Sequence, residues 1–294
     1  MRVRLRRGRK ETGRCVVSLA TDRESYPLGG AYPLVLSRLG RSLRQVGFSG
    51  EFRSWAPGDF PPGCPPHLDV PFAFKPFCVA EARARGAQAV LWLDSSCLVV
   101  RSLDPIFEAI ETNGYVLFRN GTYRVGEWAS DLALSEFGLT RERALTLPEV
   151  CGGAIGLSFN HRIGVEFFEA WLEAAHKATA FRGTHERPAS WTDFEDMKWN
   201  RSGRASSDPR VHGHRHDQTV AGILADRFGM ELTLDGLEDY LLMEEGAQPR
   251  PATAIVIDRY QDFAPAMSDQ LPPDPSRPPA PGPPPAPGDR VAGN

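Results

Sequence analysis

The chain is 294 residues long, 41% hydrophobic and 24% charged, with a formal net charge of -3. That apolar content supplies a full core for one large or two small globular units, and no run of about 18 apolar residues is present to cross a bilayer as a helix. Acids outnumber bases and no basic face interleaved with aromatics is visible, so the compositional signature of a nucleic-acid binder is missing.

Residues 1–13 read as a basic arm, since from Arg2 to Arg14 seven positive residues face only Glu11. The arm lacks the apolar core of a secretory signal, so a cytoplasmic protein is expected, with peripheral contact to a membrane surface left open. Arg14 to Ala20 is a buried first strand that opens into the polar exit Thr21-Asp22. Leu34, Val35, Leu39, Leu43 and Val46 then recur at helical spacing over Tyr32 to Val46, and Gly47 closes that helix. Glu51 to Ala56 follows as a second strand, and Pro57 to Pro71 is a loop with six prolines.

A second helix is expected from Phe74 to Arg85, stopped by Gly86. Ala89 to Asp94 carries five consecutive apolar residues, the pattern of a parallel strand covered on both faces. Ser102 caps a helix over Leu103 to Thr112, Gly114 ends it, and Tyr115 to Arg119 is the next strand. Ala129 to Phe137 reads as a helix, and Cys151 to Phe159 as a strand whose glycines mark a close backbone approach. Asn160 is placed to cap an amphipathic helix over Ile163 to Ala178. The segment Phe181 to Val211, about thirty residues without a period, reads as a lid, a binding loop or a disordered excursion. A helix over Asp217 to Phe228, a strand over Met230 to Leu234 and the apolar run Ala252 to Ile257 complete the body. From Pro265 to Pro287 lie 11 of the 26 prolines, so residues 263–294 read as a disordered, polyproline-like tail.

Alternating strands and helices predict an α/β fold with a mostly parallel, Rossmann-type central sheet flanked by helices and a less regular second half. Residues 14–262 form one domain on this reading. Ligands of such sheets bind beyond the carboxyl ends of the strands, where Thr21-Asp22 and Asp94-Ser95-Ser96 fall on one edge. The five cysteines, at 15, 64, 78, 97 and 151, have no paired spacing, and all but Cys64 sit in apolar runs. Neither a disulfide framework nor a structural zinc site is expected.

The motifs Phe74-Lys-Pro-Phe77, Val90-Leu-Trp-Leu-Asp-Ser-Ser96 and Leu103-Asp-Pro-Ile-Phe107 are followed by Gly152-Gly-Ala-Ile-Gly156 and His216-Asp-Gln218. In this order they resemble the GT-A-fold glycosyltransferases that use nucleotide-diphospho-sugar donors, over roughly Cys15 to Leu234. The resemblance implies a nucleotide-sugar-binding half at 14–120, an acceptor half at 121–262, and transfer of a hexosyl group to a hydroxyl acceptor. It leaves retention or inversion of the anomeric centre undecided. Asp94 matches the first acid of the family's Asp-x-Asp motif, and Ser96 stands where the second, metal-binding acid is expected. A hydroxyl brings no negative charge and is the weaker partner for Mn2+ or Mg2+, so metal dependence stays open. Lys75 is a candidate partner of the donor diphosphate. The resemblance further implies that Thr21 and Asp22 hold nucleobase and ribose, with Tyr26 placed to stack on the base.

Alternate residues of an extended chain point the same way, so His212, His214 and His216 could converge on one cation, and His214 and His216 could join Asp94 in replacing the missing acid. Asp217 is the candidate catalytic carboxylate, accepting a proton from the attacking hydroxyl, or else an N-cap. Gly152 and Gly153 let the chain pass close to sugar or acceptor, or pack tightly against a helix. Trp191, Asp193, Glu195, Asp196, Lys198 and Trp199 suit sugar recognition. Two other readings stay open: a catalytically degenerate relative that binds sugar nucleotides or a partner, and a nucleotidyltransferase, although Thr21 to Gly30 lacks the glycine- and basic-rich loop of the latter.

Overall fold

The computed structural model describes residues 13–21, 32–183, 205–243 and 249–257. The first half contains β1 (Arg14–Leu19), α1 (Tyr32–Gln45), β2 (Glu51–Trp55), α2 (Phe74–Ala84), β3 (Ala89–Leu93), β4 (Cys97–Val99) and α3 (Asp104–Asn113). The second contains β5 (Tyr115–Arg124), α4 (Asp131–Phe137), α5 (Arg141–Ala144), β6 (Pro148–Ser158), α6 (Arg162–Lys177), α7 (His216–Arg227), β7 (Leu241–Leu242) and β8 (Ile255–Ile257). Five strands form the central sheet in the order β2-β1-β3-β6-β5. β1 runs parallel to β2 and β3, and β6 lies antiparallel to both β3 and β5, so β6 alone opposes the other four. The α/β class and mostly parallel sheet expected from the sequence are present.

Strand periodicity divides the core between the two faces. Val17, Val90 and Trp92 pack with Phe74, Phe77, Phe167 and Trp171 on the face covered by α2, α6 and α7. Val16, Leu91 and Leu93 pack with Leu39, Leu43, Phe107 and Ile110 on the face covered by α1 and α3. All five residues of β3 are buried. Each large apolar side chain taken from water there contributes roughly 1.5–3 kcal/mol, which is why this run becomes the central strand. Gly114 ends α3 in the left-handed conformation and donates to the Ile110 carbonyl, as its position predicts.

Three local expectations are corrected. Met230 to Leu234 is no strand: Thr233, at φ 59°, breaks the extended path, although its amide donates to Leu117 O at 2.7 Å and its hydroxyl accepts from Arg119 N at 2.9 Å. Asn160 does not cap α6, where His161 takes the N-cap position without a side-chain bond. A second sheet, β4-β8-β7, was not foreseen, because its strands are only two or three residues long. Among the described residues no helix is long and apolar enough to cross a membrane. The basic arm up to residue 12, Asp22, Tyr26, residues 184–204 with their two tryptophans, and the proline-rich tail lie outside the described residues.

Candidate active site

Asp94 follows β3 at its carboxyl end, and the two-residue period of the strand keeps it on the same side as Trp92, facing α2 and α7. Trp92 Nε1 donates to Asp94 Oδ1 at 2.8 Å. Lys75 is the second residue of α2 and Asp217 the second of α7, so two helices begin at this one point. Lys75 Nζ lies 2.7 Å from Asp217 Oδ2 and 3.0 Å from Asp94 Oδ1, and it donates to the Gly152 carbonyl of β6 at 2.8 Å. The ammonium thus makes one hydrogen bond, to the carbonyl, and two ion pairs, to the carboxylates. The rings of Phe72 and Trp92 stand 5.4 and 5.5 Å from Nζ and complete its enclosure.

An ammonium in the first turn of a helix opposes the macrodipole, and α2 has no acid of its own there. The compensation comes from elsewhere in the chain. Burial alone would discharge Lys75, but the charges of Asp217 and Asp94 outweigh it and hold the ammonium above its ordinary value. Burial pushes the Asp217 carboxyl up to about 6 against the pull of Lys75. His67, buried beside this group, is pushed down to about 3 by burial, with His216 and Lys75 adding to the shift, and so stays neutral.

The glycines of β6 are explained by these approaches. A Cβ on Gly152 would fall 2.6 Å from both Asp217 Oδ2 and Gln218 Cγ, and the Gly152 amide donates to Gln218 Oε1 at 3.1 Å. Only a glycine lets the start of α7 close onto the strand, so of the two explanations open for Gly152 the helix is the one observed. A Cβ on Gly153 would meet Ile257 Cδ1 at 2.6 Å, so Gly153 makes room for β8, while its carbonyl accepts from the Asp94 amide at 2.9 Å. Gly153 thus supports the turn that carries Asp94.

The remaining expected residues are distributed as follows. Thr21 is buried just beyond β1, beside β3. Ser95 and Ser96 are buried in a turn closed by a 2.9 Å bond from the Cys97 amide to the Asp94 carbonyl, and Ser96 O accepts from Arg38 Nη2. Asp94 is the open member of the cluster: its side chain is 36% exposed, against 3% for Lys75 and 4% for Asp217. Lys75, the expected diphosphate partner, therefore lies behind Asp94, with the more exposed carboxylate between it and solvent.

The histidine run does not converge on a cation. His214 Nδ1 accepts from the Ser130 amide at 3.1 Å and Nε2 donates to Ala180 O at 3.0 Å, so both ring nitrogens are taken by the backbone. His216 donates from Nδ1 to Phe181 O at 2.8 Å and stands 5.5 Å from the Phe72 ring. Asp94, His214 and His216 do not form a ligand set, and no group of three or more His, Cys, Asp or Glu among the described residues is placed to hold a metal ion. The donor set does not fit a divalent cation, since Asp94 and Asp217 already share an ammonium.

A second ion cluster escaped the sequence reading. The Arg215 guanidinium, just before α7, lies 4.3 Å from the Tyr123 ring and 3.7 Å from the Trp128 ring, and its Nη1 pairs with Glu149 Oε2. Glu149 is fully buried at the start of β6 and accepts from Asn120 Nδ2 at 2.7 Å. Burial pushes its carboxyl up to about 7, against the pull of Arg215. The only signal was an acid just before an apolar strand, with its partner 66 residues away.

No family model matches the chain, and no curated protein matches it. Solved structures with a related chain path include a glycosyltransferase involved in glycosylation of the major capsid of PBCV-1, at TM-score 0.33 and 11% identity over 55% of this chain and 67% of that one. Another is the galactosyltransferase LgtC in complex with donor and acceptor sugar analogues, at TM-score 0.36 and 14% identity over 87% and 93%. Mouse xyloside xylosyltransferase 1 in its apo form matches at TM-score 0.43 and 12% identity over 83% and 97%. At such identities and TM-scores the function of this chain rests on its own geometry.

Proposed function

We propose that the chain is a glycosyltransferase that moves a sugar from a nucleoside diphosphate donor to a hydroxyl acceptor. The observation that carries this reading is the meeting of two helix amino ends, at Lys75 and Asp217, beyond the carboxyl end of a parallel strand. Helix amino ends favour anionic groups, and the carboxyl edge of such a sheet is where ligands bind, so this junction suits a diphosphate with a sugar attached. The order of the sequence motifs around the same residues supports the same reading.

In the transfer, the bond between the anomeric carbon and the diphosphate oxygen breaks, the bond to the acceptor oxygen forms, and the acceptor hydroxyl loses its proton. Asp94, open to the cleft, faces the donor. Asp217 holds Lys75 against Asp94, and it takes up the acceptor proton only by loosening from the lysine. A carboxyl pushed up to about 6 is basic enough for that exchange near neutral pH. Thr21, beyond β1, stands on the nucleoside side.

Calorimetry with a panel of nucleotide sugars, followed by NMR of donor consumption, tests this reading. One donor should bind and be consumed, and Asp94→Asn should lower turnover by about 100-fold or more while leaving the fold intact. Unaltered turnover in that variant, or no binding by any donor, contradicts the proposal.

A further inference from the structure

Asp94 and Asp217 converge from the end of β3 and the start of α7, where two carboxylates could draw in a cation, and the point between them is filled. Lys75 Nζ sits 3.0 Å from one carboxylate and 2.7 Å from the other, with the Gly152 carbonyl as its third acceptor at 2.8 Å. The ammonium is thus surrounded by two carboxylates and a carbonyl. It is also anchored: the lysine is 3% exposed, two aromatic rings flank it, and its backbone is fixed in α2.

A divalent cation arriving at this point would have to displace the ammonium or share Asp94 with it. Sharing sets the divalent ion on Asp94 beside the ammonium, whose positive charge repels it. Displacement would leave a buried ammonium without its partners, which costs several kcal/mol in other proteins. Of the expected replacement ligands, His214 is held by two backbone groups and cannot turn without breaking both bonds, and His216 donates from Nδ1 to Phe181 O. Lysine is scarce in this chain, at 4 of the 34 basic residues, and an ammonium suits the position physically. It is a compact point charge with three donors, whereas a guanidinium is a planar fork that does not match three acceptors arranged around one atom.

We infer that Lys75 is the resident cation of this cleft: its ammonium takes the place of a divalent metal between Asp94 and Asp217, and these acids hold no Mn2+ or Mg2+ in the working protein. The inference deepens the glycosyltransferase reading and rests on it for the identity of the cleft, but the occupancy of the site by the lysine is testable without a donor.

The experiment is a Mn2+ titration of the full chain followed by electron paramagnetic resonance, with wild type, Asp94→Asn and Lys75→Ala compared. Wild type and Asp94→Asn should bind Mn2+ equally weakly. Lys75→Ala releases two carboxylates onto a vacated point and should bind Mn2+ about tenfold or more tightly than wild type, with a matching rise in melting temperature on adding the ion. Calorimetry with ADP, GDP and UDP should give the same Kd for wild type in EDTA and in Mn2+, within about threefold. Tight Mn2+ binding by wild type that is lost in Asp94→Asn, or nucleotide binding that needs the metal and is lost in Asp94→Asn, overturns the inference. Should Lys75→Ala fail to fold, the comparison of wild type with Asp94→Asn still decides. Should no nucleotide bind under any condition, the glycosyltransferase reading fails while the Mn2+ arms still report on the lysine.

Discussion

Two buried ion clusters anchor the amino end of α7, and they are built differently. On one side Lys75 serves Asp217, Asp94 and a carbonyl as a point charge held in three directions. On the other, Arg215 stands over the rings of Tyr123 and Trp128 and pairs with a single acid, Glu149. The first joins α2, β6, α7 and the end of β3 and leaves one carboxylate, Asp94, in contact with solvent. The second fixes the segment leading into α7, and its acid is fully enclosed. A cation with several partners cannot be removed without orphaning more than one charge, whereas a lone buried acid can escape the loss of its partner by taking a proton. The lysine cluster should therefore be the more sensitive to mutation and the arginine cluster the more sensitive to pH.

Lys75→Ala should have the largest effect. It leaves two carboxylates uncompensated, one of them buried, and should cost roughly 3–5 kcal/mol at pH 8, measured by denaturant unfolding. The cost should shrink at pH 5, below the value of about 6 held by Asp217, because a protonated carboxyl no longer needs the lysine. An equal loss at both values would show that the cluster is not the source of the stability.

Arg215→Ala should cost less, roughly 1.5–3 kcal/mol, the range for a lost hydrogen bond to a charged group. A loss larger than that of Lys75→Ala would reverse the ranking of the two clusters.

Glu149→Gln should change stability least and alter its pH dependence instead. The folded-state value, about 7, lies above the ordinary 4.5, so the folded protein keeps a proton that the unfolded chain releases. Stability therefore falls as pH rises from about 4.5 through about 7, with a slope of at most ~1.4 kcal/mol per pH unit from this one group. Glutamine accepts the same bonds from Arg215 and Asn120 without titrating, so the variant should lose this contribution. Asp217, also pushed up, leaves a second slope at lower pH. A variant whose stability tracks wild type across the whole range would remove Glu149 from the account.

The same contrast explains what the sequence disclosed. β3 was legible because five apolar residues in a row have few other fates, and Asp94 because the strand must end at a polar exit. Lys75 and Asp217 stood out as charges beside helix starts. Their meeting did not, since it depends on Gly152 lacking a side chain and on β6 running opposite to its neighbours. The Glu149–Arg215 pair was hidden for a related reason. Strand periodicity identifies a buried position only when the residue there is apolar, and an acid at the start of β6 reads as loop. The histidine run misled in the opposite direction, because alternation along an extended segment cannot show that backbone groups already hold both ring nitrogens of His214 and Nδ1 of His216.

The central claim is that the donor is received where Lys75, Asp94 and Asp217 meet. With only four lysines in the chain, the ammonium resonances can be resolved by nitrogen-15 NMR, and that of Lys75, shielded from water, should exchange most slowly. Adding the nucleotide sugar that calorimetry shows to bind should shift this signal and leave that of the exposed Lys177 in place. Binding by calorimetry without any movement of the Lys75 signal would put the donor elsewhere and contradict the account.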